Sequence, residues 1–170
     1  MDAAERRQKI RETLERADHP ISATALAERL GVSRQIIVGD VALLRAAGAA
    51  IAATPRGYTL RRESHGIVRT VACRHTAEGM EAELNAMVDQ GCTVLDVIVE
   101  HPIYGQLTGS LLLRSRYDVQ QFIVRCQESE AAPLSLLTEG IHLHTLSCPD
   151  EGRYQSVLTG LKQLGFLLEE

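Results

Sequence analysis

No apolar run in this 170-residue chain approaches the ~18 to 20 residues that span a bilayer, so a membrane-embedded role is not expected. The N-terminus, MDAAERRQKIRETLERA, is charged and helix-like. It has no apolar core and no small-residue cleavage site, and so does not read as a signal peptide. C-x-x-C pairs are also missing. The four cysteines, Cys73, Cys92, Cys126 and Cys148, stand far apart, which argues against a zinc ribbon and against a thioredoxin-type redox site. Without a secretion signal the thiols are expected to be reduced, in the cytoplasm. Internal repeats and low-complexity stretches are lacking too. What remains has an ordinary hydrophobic content and enough length for one large domain or two small ones.

Charge is unevenly placed. Residues 1–62 hold 11 Lys and Arg against 7 Asp and Glu, whereas residues 63–170 hold 7 against 15. A basic first third on an acidic body points to a polyanion as the partner of the first third, although an ordinary solvated face has the same signature. Ile10, Leu14 and Ala17 fall at helical spacing, and His19-Pro20 ends that helix. Ser22 caps a second helix, Ala23 to Leu30, stopped by Gly31; Ser33 caps a third that runs to about Ala47. Two short helices across a Gly-Val-Ser turn predict a helix-turn-helix. Ile37, Val41 and Leu44 form the buried stripe of the third helix, leaving Gln35, Val38, Gly39 and Ala42 on the opposite side. Ser33, Arg34 and Gln35 stand at its N-terminal end, where recognition helices touch base edges; arginine pairs with guanine and glutamine with adenine. Gly39 costs about 1 kcal/mol relative to alanine inside a helix. Close approach to DNA accounts for it, and so does tolerance at an exposed site. Residues 50–60 read as a hairpin with Thr54-Pro55-Arg56-Gly57 as its turn. This is a wing whose Arg56, followed by Arg61 and Arg62, can reach phosphate. The competing reading of this unit is a protein–protein module.

The boundary is expected at 62/63, giving a winged helix-turn-helix over 1–62 and a second domain over 63–170. There the pattern runs β-α-β-β-α-β-α: strand 67–73, helix 77–90, strand 92–100, strand 107–113, helix 117–129, strand 140–148 and a last helix to Gly165. This is an α+β sandwich with helices on one sheet face. Alternation puts Leu95, Val97 and Val99 on one side of the second strand.

Histidines carry the chemistry of this half. His142 and His144 share one face of a strand, with Ile141 and Leu143 on the other. Two such imidazoles can ligate one metal ion. His75 sits where the first strand gives way to the first helix, and Glu83 lies two turns inside that helix. If folding brings both to the His-x-His strand, three nitrogens and one carboxylate suit zinc, nickel, cobalt, iron or manganese. The alternative is polar strand positions that make hydrogen bonds. His101 and Tyr104, in Glu100-His101-Pro102-Ile103-Tyr104-Gly105, lie on a bend between two strands. They either face a ligand or merely pack the turn.

Taken together these segments resemble the niacin-responsive transcriptional repressors of NAD synthesis, which join a helix-turn-helix to a three-histidine (3H) domain. The resemblance spans nearly the whole chain. It rests on residues 33–38 (SRQIIV), 99–105 (VEHPIYG), 137–140 (LTEG) and 141–144 (IHLH), with histidines at 75, 101, 142 and 144. It implies a second domain with the phosphocarrier-protein fold and one divalent transition metal ion per chain on His75, Glu83, His142 and His144. It also implies nicotinic acid as co-repressor and a homodimer on a palindromic operator in double-stranded DNA. The acidic domain offers an anion no evident pocket except through a bound cation. Three other readings compete: a regulator of the same build answering to another small molecule, a phosphocarrier using His75, and a metal-dependent hydrolase. Glu78, Glu81 and Glu83 disfavour added phosphate near His75, and no separate general base is evident for hydrolysis. A regulator rather than an enzyme is the expectation.

Overall fold

The computed structural model describes residues 1–60 and 66–169. The chain divides into two compact units, Met1–Glu63 and Ser64–Glu170, each with its own core.

The first unit is three helices and a hairpin: α1 (Ala3–Arg16), α2 (Ala23–Leu30), α3 (Arg34–Ala46), β1 (Ile51–Thr54) and β2 (Gly57–Leu60). The caps do what their chemistry dictates. Side-chain oxygens of Asp2, Ser22 and Ser33 accept the first free N–H groups of α1, α2 and α3, and Gly31 ends α2 in the left-handed region at φ 66°. Ile10, Leu14, Leu26, Ile37 and Val41 are buried where the helices meet; each such side chain contributes about 1.5–3 kcal/mol. The hairpin is tied to the chain before α2. Ile21 and Tyr58 exchange backbone hydrogen bonds of 2.9 and 2.8 Å. A Cβ on Gly57, at φ +130°, would lie 2.3 Å from the Ile21 carbonyl oxygen, so only glycine fits there.

The second unit comprises β3 (Ile67–Arg74), α4 (Met80–Val88), β4 (Thr93–His101), β5 (Gly105–Leu113), α5 (Arg116–Glu128), β6 (Ile141–Cys148) and α6 (Glu151–Leu164). Its sheet is antiparallel throughout, in the order β3-β6-β4-β5. Buried residues of the three helices, Leu84, Met87, Val119, Val157 and Leu161, join one cluster with Val71, Val94, Leu113 and Leu146 of the strands. Mixed α+β architecture is therefore as expected.

Four local features differ from the sequence reading. The first helix opens with a 3-10 turn, Ala77–Gly79, so α4 proper starts at Met80. A register shift between Val94 and Asp96 turns Val94, not Leu95, to the core with Val97. One extra residue reverses the alternation beyond it. A second 3-10 turn, Leu134–Thr138, was not expected. Finally, the tail pairs with the free edge of β3: the Arg74 N–H donates to the Phe166 carbonyl at 2.8 Å, and the Leu168 N–H to the Ala72 carbonyl at 3.0 Å. Among the described residues no helix is long and apolar enough to cross a membrane.

Candidate nucleic-acid interface and metal centre

The first unit presents the N-terminal half of α3. Arg34, Gln35 and Gly39 are exposed along it, and Ala42 just beyond. A Cβ on Gly39 would meet nothing within 4 Å, so the fold itself does not demand glycine. Ser33 is exposed, but its hydroxyl accepts the Ile36 N–H at 3.3 Å. Val38 departs from the reading: it is half-buried and packs on the core, because α3 lies close against its neighbours on that side. Arg56 sits in the β1–β2 turn as expected, yet it too is half-buried, with its N–H donating to the Thr54 hydroxyl at 3.2 Å. Arg61 and Arg62 lie outside the described residues.

One residue that positions α3 went unread. Asp40 is 4% exposed and accepts hydrogen bonds from Arg6 and Arg7 of α1. The signal was present. Asp40 follows Ile37 by three residues, inside the buried stripe, where a carboxylate needs a cationic partner.

In the second unit Glu83 gathers three histidines. His142 Nε2 lies 2.8 Å from Oε1; His75 Nε2 lies 2.6 Å and His144 Nε2 3.4 Å from Oε2. Glu83 is only 1% exposed and the three imidazoles 4% or less. Strand alternation sets the pair on β6, which faces the core with Ile141 outward. The first turn of α4 supplies Glu83, rather than a point two turns into the helix. His75 follows β3, and its ring is held by Phe166 at a centroid distance of 4.9 Å. A Cβ on Gly79 would fall 3.0 Å from the same ring. Gly140 shares in the construction. Its carbonyl faces His142 Nδ1 at 2.8 Å and accepts the His75 N–H at 3.4 Å.

Protons decide what this cluster can hold. Each Nδ1 points at a backbone carbonyl: Thr76 at 2.6 Å, Gly140 at 2.8 Å and Asp96 at 2.7 Å. A carbonyl only accepts, so each Nδ1 carries hydrogen and leaves Nε2 turned toward Glu83. Burial pushes the Glu83 carboxyl up, but hydrogen bonds from His142, His144 and His75 outweigh it and hold it well below the usual carboxylate range. Each Nε2 beside that carboxylate thus calls for positive charge, either its own proton or a cation. Protonating all three rings would leave an uncompensated buried surplus of charge, which is costly. A divalent cation would supply that charge without added protons, and imidazole with carboxylate is a donor set for first-row transition ions. The residues present therefore fit a metal. With both nitrogens engaged and the ring buried, His75 has no nitrogen open to a phosphoryl donor.

Cys73 was not among the sequence candidates. It is 0% exposed, and its Sγ, a Glu83 oxygen and a His142 nitrogen all lie within 4.8 Å of one another. Burial, with Glu83 beside it, pushes the thiol far above its usual range. Cys92 and Cys148 form a separate buried pair, Sγ to Sγ 2.7 Å, in which burial and the neighbouring sulfur raise Cys92 to about 12.

His101 serves its own turn. Nδ1 accepts the N–H groups of Ile103 and Tyr104 at 3.1 and 3.3 Å, and the His101 and Tyr104 rings lie 5.0 Å apart. Tyr104 is 72% exposed. Among the described residues neither bonds to the Glu83 cluster.

Comparison with known proteins agrees with both halves. Residues 6–59 match an HTH domain family and residues 68–170 match the 3H domain family. The chain is 43% identical to the probable transcription repressor NiaR of Thermotoga maritima over 166 residues, covering 98% of this chain and 95% of that protein. It is 39% identical to the transcription repressor NadR of Bacillus subtilis over 171 residues, with the same coverage. Relatives so similar, together with a helix-turn-helix, make it a regulator rather than an enzyme. The chain belongs to the family of DNA-binding transcription repressors that join a helix-turn-helix to a 3H domain.

Proposed function

We propose that this repressor controls genes of NAD synthesis or niacin uptake in the cytoplasm. It binds a palindromic operator as a homodimer, with nicotinic acid as co-repressor at a metal-containing second unit. Convergence of three Nδ1-anchored imidazoles on ionised Glu83 carries the metal part of this reading. His75, Glu83, His142 and His144 hold one divalent transition ion, and a phosphocarrier-like second domain agrees with the element and strand order. The ion supplies the positive charge that an acidic domain lacks for a carboxylate ligand. Tyr104 and His101 hold the pyridine ring. On the DNA side Arg34 and Gln35 read base edges, Gly39 and Val38 line the close approach, Ser33 fixes the helix start and Arg56 meets phosphate.

Nicotinate strengthens repression only by binding the DNA-competent form more tightly than the free form. Linkage then requires operator to tighten nicotinate binding by the same factor, about 5- to 150-fold for a coupling of ~1–3 kcal/mol. The test is a four-way titration of nicotinate into metal-loaded and chelated protein, each with and without operator. Equal affinities with and without operator reject co-repression. Equal affinities with and without metal reject the metal as ligand anchor. A response to other small acids but not to nicotinate makes this a regulator of the same build with a different signal.

A further inference from the structure

We infer that Cys73 is a further ligand of the metal centre, placing one sulfur among its nitrogen and oxygen donors. The inference rests on the metal reading above. Cys73 is paired directly with His142 across β3 and β6, so both side chains leave the same face of the sheet. Because the strands are antiparallel, His144 stands opposite Val71 on one side of this pair and His75 follows β3 on the other, and Glu83 of α4 reaches His142 between them. Sγ already lies within 4.8 Å of a Glu83 oxygen and a His142 nitrogen, close to the upper limit of about 4.4 Å for sulfur and nitrogen or oxygen donors on one ion, so a small inward shift brings the three into one shell. No solvent competes, since the side chain is fully buried. On binding, the thiol proton leaves to solvent and sulfur bonds the ion as thiolate. A sulfur donor also narrows the choice of metal. Thiolate favours zinc and other borderline or soft ions over manganese, which prefers carboxylate and water.

The probe is the full chain loaded with cobalt(II), followed by absorption and by metal content per chain. A thiolate ligand gives an intense near-ultraviolet sulfur-to-cobalt band beside the weak visible bands of the bound ion. The band is expected in the parent protein, lost in Cys73→Ser and kept in Cys126→Ser and Cys92→Ser. X-ray absorption of the unmutated zinc-loaded protein decides the matter should Cys73→Ser fail to fold; a sulfur scatterer at about 2.3 Å is the expected result. Bound cobalt with visible bands only, and zinc surrounded by nitrogen and oxygen alone, would leave the metal centre standing and make Cys73 a core residue. Loss of the band in Cys92→Ser would move the sulfur to the Cys92–Cys148 pair and overturn the assignment. A chain that retains no cobalt, zinc or nickel rejects the metal reading and this inference together.

Discussion

Single residues carry the sharpest distinctions. Gly39 has open space where a Cβ would go and no positive φ, so Gly39→Ala should stabilise the first unit by about 1 kcal/mol, read as a higher midpoint in urea. If operator affinity falls while stability rises, the small residue serves the DNA contact; if affinity holds, glycine there is simply tolerated. At the Glu83 cluster, Glu83→Gln and His142→Ala each remove a donor. Metal per chain after mild dialysis should drop in both, and full occupancy in both would reject the set. The two-residue period made His142 and His144 legible in the sequence, because one strand face is one face wherever the strand goes. Cys73 was not legible. A lone cysteine in an apolar strand is ordinary core filling, and only the β3–β6 register sets it opposite His142.

Helices and turns were readable to within a residue or two wherever a cap residue marked them, as at Ser22, Gly31, Ser33 and Gly165. Strand faces were less so. The irregularity after Val94 leaves no mark in composition, and the pairing of Phe166–Leu168 with β3 depends on a contact across more than 90 positions of sequence. Helix α3 is held to α1 by Asp40 between Arg6 and Arg7. Asp40→Asn keeps the shape but removes the charge, leaving two arginines beside a neutral amide. The expected outcome is a lower thermal midpoint for the first unit and weaker binding to matched and scrambled operators alike, since α3 is displaced as a whole. Loss confined to the matched operator would mean that Asp40 acts on base reading instead. In the second unit, Gly79→Ala would crowd the His75 ring and Phe166, and about 10-fold weaker metal affinity is expected from disturbing a ligand's support.

At the scale of the molecule, two cores in two units should melt as two transitions. An ion that binds only the folded second unit raises that transition alone, by about 2.7 kcal/mol when free metal is 100 times its dissociation constant. Calorimetry with and without metal checks this, and a shift of both transitions together would mean that the units unfold as one. The charge split was the sequence-level sign of this division, because a DNA-binding surface and the proposed cation-holding interior call for opposite fields. The proposed ligands also have an order in time. The hairpin of the first unit closes at Leu60, while His144 lies 84 positions further along. At the ribosome's pace of ~5–20 residues per second, that stretch takes about 4 to 17 s to synthesise. In each newborn chain the residues of the DNA-gripping part are all made seconds before the last ligand of the proposed centre, so a repressor that needs both, as proposed, stays silent until it is whole.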